Sequence, residues 1–221
     1  MAIFHNAYYF FKKYCTIPKK CVKINIYVFA KNFLLFTGDD HMSRKYLITG
    51  GANSGKARWA ISYFSHCSNV AFITSNSDME DDLKKRLEIS NEQNGVQWDI
   101  IRHDGKPADI IDGNHSFYIF DGLPEYTLSV LGIGSDNDEV TKEQAAEVKA
   151  RVINDIKEMI EKAESVGADI IIITLETGFS VVPPKSAQEA FRDILCAVNQ
   201  RIANISDEVY LSVSGIQLQI K

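Results

Sequence analysis

The chain has 221 residues, 45% of them hydrophobic and 24% charged, which is enough for one domain with a full core. Its net charge of −5 is unevenly placed: residues 1–41 carry six lysines against Asp39 and Asp40, leaving 18 basic and 27 acidic groups in residues 42–221. An acidic body argues against nucleic acid as the main partner, and four cysteines without a C-x-x-C pair argue against a disulfide framework or zinc site and for a reducing cytoplasm.

Residues 1–41 are compositionally foreign. They hold ten of the chain's 23 aromatics and no Arg, Glu, Gln or Ser. Their apolar runs are too short to span a bilayer and lack the long apolar centre of a secretory signal, so no integral membrane segment is expected. They read as an atypical extension outside the core, with Met42 as the working start of a single domain over 42–221. The alternative is an arm that binds a membrane surface or a partner.

From Met42 onward, short apolar runs alternate with helical patterns, the signature of βαβ units. A strand is expected over 44–49, followed by the glycine loop Gly50–Gly51–Ala52–Asn53–Ser54–Gly55–Lys56–Ala57 and an amphipathic stretch, Arg58 to Phe64. A second strand follows at 69–74, then a helix announced by capping-box spacing, Ser77 with Glu80. A third strand is expected at 116–121, and the polar connection Gly132–Glu139 leads to a long helix over about Thr141 to Glu164, capped by Thr141 and Gln144. That helix puts Val148, Val152, Ile156, Met159, Ile160 and Ala163 on one face. A fourth strand at 169–174 and a helix capped by Ser186 and Glu189, with Phe191, Ile194, Leu195, Val198 and Ile202 as its apolar stripe, precede a strand at 208–213. Ser214–Gly215 then turns into a short terminal strand over 216–220. The pattern implies an α/β fold with a mainly parallel sheet, helices on its faces and a short antiparallel strand at the C-terminus.

The glycine loop carries the chemistry. In the pattern G-x-x-x-x-G-K-S/T, Gly50 and Gly55 free the backbone so that its N–H groups, from Gly51 to Ala57, wrap phosphate oxygens. Lys56 reaches the terminal phosphates, and the last residue offers Mg²⁺ a hydroxyl. Here that residue is Ala57. In open α/β sheets the ligand lies beyond the carboxyl ends of the strands. Asp121 ends a strand and is placed to hold Mg²⁺, directly or through water, and Glu176 follows the next strand as a second catalytic candidate. Thr74, Ser75 and Asn76, after the second strand, either hydrogen-bond a nucleotide, GTP or ATP, or open the following helix.

Several segments resemble one family. Ile48–Arg58, Phe72–Ser75, Thr174–Pro183, Phe191–Asp193 through Val198–Arg201, and Asp207–Gly215 with the Lys221 terminus are similar to the bifunctional adenosylcobinamide kinase/adenosylcobinamide-phosphate guanylyltransferases of cobalamin biosynthesis. The resemblance implies a P-loop-type sheet, a homotrimer and two reactions: phosphorylation of adenosylcobinamide, then transfer of GMP from GTP onto that phosphate. In the family the second reaction passes through a guanylylated histidine on the helix after the second strand.

Three positions depart from the pattern. Aligning on Arg86 and Trp98 puts Ile89 and Ser90 where the histidine belongs, with His103 the nearest substitute; Leu175 replaces an asparagine before Glu176; and Ala57 replaces the loop hydroxyl. The expectation is a nucleotide-dependent enzyme of this kind in which guanylyl transfer is impaired. The alternative is a degenerate GTP- or ATP-binding protein that serves as a sensor or partner subunit.

Overall fold

The computed structural model describes residues 43–65, 67–75, 85, 87–88, 98–133, 139–183 and 186–221. The chain divides into two units, Met1–His41 and Met42–Lys221, and all of these residues belong to the second. Seven strands form one sheet: β1 (Lys45–Gly50), β2 (Val70–Thr74), β3 (Trp98–Arg102), β4 (Phe117–Asp121), β5 (Asp169–Ile173), β6 (Glu208–Val213) and β7 (Ile216–Gln219). Their order is β3-β2-β4-β5-β1-β6-β7. Every pairing is parallel except β6 with β7, which is the antiparallel terminal hairpin. The described helices are α1 (Lys56–Tyr63), α2 (Leu123–Leu131), α3 (Lys142–Ser165) and α4 (Ser186–Ile205), with a 3₁₀ turn at Pro107–Ile110.

Side chains of a strand alternate between faces, so an unbroken apolar strand needs cover on both. In β5, Ile170 and Ile172 join one core with Tyr118, Phe120 and residues of α3 and α4. Ile171 and Ile173 join the other, with Ile119, Tyr46, Ile48 and residues of α1. The two cores are the two faces of the sheet. The stripe of α3 is buried from Val152 to Ala163, with Val148 partly covered at its edge, and the stripe of α4 behaves alike, with Phe191 at its margin.

Strand ends fall within a residue or so of the expected positions, and two features differ. A sixth parallel strand, β3, has no counterpart in the periodicity because it lies at the sheet edge with Ile100 47% exposed; it is pinned by the Trp98 indole, whose Nε1 donates to the Cys67 carbonyl at 3.2 Å. The Thr141–Gln144 capping box forms in both directions. Ser186 instead starts α4 as its first helical residue, and its hydroxyl is engaged with the backbone of Val140. The Ser77–Glu80 box lies outside the described residues. No helix among those described is long and apolar enough to cross a membrane.

Candidate active site

The loop between β1 and α1 is held in shape from three sides. Gly50 leaves the sheet at φ 155°, and a Cβ there would lie 2.3 Å from the Ser212 carbonyl oxygen, so only glycine passes. Asn53 and Gly55 take the left-handed conformation at φ 54° and 94°. From β6, the Ser212 hydroxyl donates to the Ser54 carbonyl at 2.7 Å, and the Gly215 N–H of the terminal hairpin donates to the same oxygen at 2.9 Å. From the segment after β5, the Glu176 N–H donates to the Gly50 carbonyl at 3.0 Å. Helix α1 is itself anchored by aromatic contact with the sheet, with the Trp59 ring 4.4 Å from Tyr210 and Tyr63 5.1 Å from Tyr46.

The loop opens on a cavity of about 450 Å³ lined by Ala52 to Arg58, Thr74, Asp121, Pro124, Glu125 and Ile173 to Leu175. It lies beyond the carboxyl ends of β2, β4, β5 and β1. Sheet register puts Thr74, Asp121, Ile173 and Ile48 at one level across these four strands, which is why residues far apart in sequence meet there. Lys56 is 8% exposed, and its Nζ donates to the carbonyls of Gly51 at 2.7 Å and Gly50 at 3.1 Å. Burial lowers its pKa, opposed by the charges of Asp121 and Glu125. Asp121 is pushed up to about 6, first by burial and then by Glu125, with Lys56 pulling the other way. A buried cation, a carboxylate and a ring of loop amides at the N-terminus of α1 are the elements of a phosphate site.

The expected site residues do not all converge. Ala52 to Ala57, Thr74 and Asp121 do, while Gly50 and Gly51 are not part of the cavity lining. Glu176 comes close in the backbone, but its carboxylate turns away: Oε1 accepts the Gly178 N–H at 2.8 Å and does not line the cavity, so its side chain serves as a turn cap. Ser75 does not line the cavity either; its hydroxyl is buried without a partner, beside Gly122. Asn76 lies outside the described residues, as do Ile89 and Ser90. Leu175 lines the cavity, and the carbonyl of Leu175 receives the Asn199 amide from α4 at 2.8 Å, while Asn199 Oδ1 accepts the Thr174 hydroxyl at 2.8 Å. His103 is occupied elsewhere, its ring Nε2 2.9 Å from the Lys106 carbonyl. Glu125 and Thr174 are cavity residues that the sequence reading passed over. The signal for Glu125 is its place in the first turn of α2, just after Pro124 and one turn beyond Asp121.

Fold and site together define a P-loop nucleotide-binding α/β protein. The family model of cobinamide kinase/cobinamide phosphate guanyltransferase matches residues 46–220, and the chain belongs to that family. It is 29% identical over 186 residues to the bifunctional adenosylcobalamin biosynthesis protein CobU of Salmonella typhimurium strain LT2. It is 28% identical over 187 residues to the protein of the same description from Escherichia coli K12. In each case 79% of this chain covers 98% of the relative. Among solved structures, an ATP synthase subunit from Nanoarchaeum equitans aligns with TM-score 0.46 at 13% identity, over 77% of this chain and 45% of that one. A KaiC-like protein from Pyrococcus horikoshii aligns with TM-score 0.43 at 14% identity, over 76% and 70%.

Proposed function

We propose that this chain is an adenosylcobinamide kinase that has lost the guanylyl transfer step of its family, with residues 42–221 forming the nucleotide-binding domain. The observation that carries the reading is the meeting of Lys56 and Asp121 in one cavity beneath a loop of phosphate-binding shape. Phosphoryl transfer asks little covalent work of a protein; it asks for positioning and for charge placed where the transition state needs it. Lys56 and the loop amides supply the positive end of that field.

The donor set fits Mg²⁺. Asp121 is a carboxylate at the cavity floor, burdened by burial and by the neighbouring charge of Glu125, and a cation relieves both. No cluster of three His, Cys, Asp or Glu is found among the described residues, which suits an ion that keeps waters and leans on substrate phosphates for the rest of its shell. When bound, Mg²⁺ neutralises charge on the nucleotide's phosphates. Asp121 would hold it, and Ala57 has no hydroxyl to add.

Guanylyl transfer needs a nucleophile able to carry GMP and release it, as an imidazole does. Ile89 and Ser90 stand in that place in the sequence. The two described histidines do not line the cavity: His103 faces Lys106, and His115 lies between Asp99 and Asp112. A cytoplasmic homotrimer is the assembly that family resemblance supports.

Radiolabelled nucleotide tests the reading. With γ-labelled GTP or ATP and adenosylcobinamide, label passes to the corrinoid; with α-labelled GTP, no acid-labile, alkali-stable label stays on the protein. Guanylylated protein would restore the two-step enzyme, and nucleotide binding without any transfer would leave a degenerate nucleotide-binding subunit.

A further inference from the structure

Glu125 has so far entered only as a charge acting on Asp121, yet it lines the same cavity. It sits in the first turn of α2, exposed, lining the cavity with Lys56, Ala57 and Asp121, and its negative charge acts on both Lys56 and Asp121. Among the described residues it makes no hydrogen bond or salt bridge. An acid in the first turn of a helix is favourable by about 0.3–1 kcal/mol through the helix dipole. That accounts for an acid near this helix end and leaves unexplained why it lines the same cavity as Asp121, whose ionised form its charge disfavours. Two like charges in one cavity repel; Lys56 offsets part of that repulsion, and a divalent cation held by both carboxylates offsets more.

The same cavity lacks an oxygen elsewhere. Ala57 occupies the loop position whose side chain ordinarily reaches the nucleotide's metal, and it too lines the cavity. A site short of one metal-facing oxygen and holding one extra carboxylate is balanced if the second replaces the first. We propose that Glu125 supplies the metal contact missing at Ala57, joining Asp121 as the second carboxylate, directly or through a water, on the divalent cation that accompanies the nucleotide phosphates. One or two carboxylates, phosphate oxygens and waters are the usual shell of Mg²⁺. The inference rests on the nucleotide-site reading of this cavity.

The test is the metal dependence of nucleotide affinity, measured by calorimetry with GTP and with ATP, in excess Mg²⁺ and in EDTA, for wild type, Glu125→Gln and the double variant Glu125→Gln/Ala57→Ser. In wild type, Mg²⁺ tightens binding. In Glu125→Gln the ratio of the two dissociation constants falls by about tenfold, the lower end of what supporting groups contribute to metal affinity. Affinity in EDTA holds or improves, because a negative charge facing the phosphates is gone. The added hydroxyl of the double variant restores part of the ratio. Should Glu125→Gln fail to fold, Glu125→Asp, which keeps the charge and withdraws it by one methylene, carries the same comparison.

An unchanged ratio in the variant overturns the inference. So does an equal loss with and without Mg²⁺, which marks a merely structural role, and so does a wild type that binds nucleotide with no metal dependence. A wild type that binds neither nucleotide under either condition instead removes the nucleotide site itself.

Discussion

Ser212 and Ser54, 158 residues apart, are joined by a 2.7 Å hydrogen bond from hydroxyl to carbonyl. It ties the floor of the phosphate loop to β6, the strand beside β1, and the same strand's backbone closes over Gly50. The loop is therefore shaped before any ligand arrives. Ser212→Ala removes one of two donors to the Ser54 carbonyl, since Gly215 N–H remains, and is expected to cost about 1 kcal/mol. Gly50→Ala brings a methyl within 2.3 Å of a backbone oxygen and is expected to cost more, on the order of 1–3 kcal/mol, with loss of nucleotide binding. Urea denaturation of both variants checks the order; a Gly50→Ala protein as stable as wild type would mean the loop is not packed on β6 as described.

Ala57→Ser should tighten nucleotide binding when Mg²⁺ is present, by less than about tenfold while Glu125 is in place, and change little in EDTA, because it adds one oxygen at the start of α1. Titration of nucleotide under the two conditions reads the difference. Weaker binding in Mg²⁺ would mean that the methyl of Ala57 is there for packing.

Asp121 carries a stability cost that grows with pH. Burial, and then the charge of Glu125, push its folded carboxyl up to about 6 from the ordinary 3.8, so the native state holds a proton that the unfolded chain has already lost, and stability falls as pH rises through that window. Below about pH 4 both states are protonated and the cost vanishes. Asp121→Asn should therefore melt above wild type at pH 7–8 without nucleotide, by about 1–2 kcal/mol once solvent reaching the cavity is allowed for. The advantage should shrink towards pH 4. A variant that gains nothing at pH 8 would place the carboxylate in freer water than the structure does. The same variant should lose Mg²⁺-dependent nucleotide affinity.

The sequence was most legible where one physical signal dominates. Runs such as Asp169–Ile173 are apolar on both faces and could only be buried parallel strands, and Gly50 to Lys56 names its ligand by glycine and lysine spacing. The edge strand Trp98–Arg102 escaped because residues on both of its faces, Asp99 on one and Ile100 and Arg102 on the other, meet solvent, so its composition blends with a loop. The sheet order was out of reach, since it depends on which strands pack rather than on any one of them. The functional candidates divide along the same line. Asp121 was legible because a strand end fixes its direction, whereas Glu176 follows a strand into a turn, and there a backbone N–H at Gly178 competes for the carboxylate. Glu125 was missed because where the first turn of α2 faces is decided by the packing of Leu123 and Tyr126 into the core, and no local pattern states it.

The measurement that bears most directly on the central claim is thermal denaturation of wild type and Lys56→Ala with and without GTP or ATP and Mg²⁺. Lys56 holds the carbonyls of Gly50 and Gly51, so the variant alone should melt slightly lower, by about 1 kcal/mol. A ligand at a hundred times its dissociation constant stabilises the native state by about 2.7 kcal/mol, or roughly 5–11 °C at about 2–4 °C per kcal/mol for a chain of this size. Wild type should show that shift and Lys56→Ala should lose most of it, because the ammonium is the cation the loop aims at the terminal phosphates. No shift in wild type, or an equal shift in both, would contradict the nucleotide site and the kinase built on it.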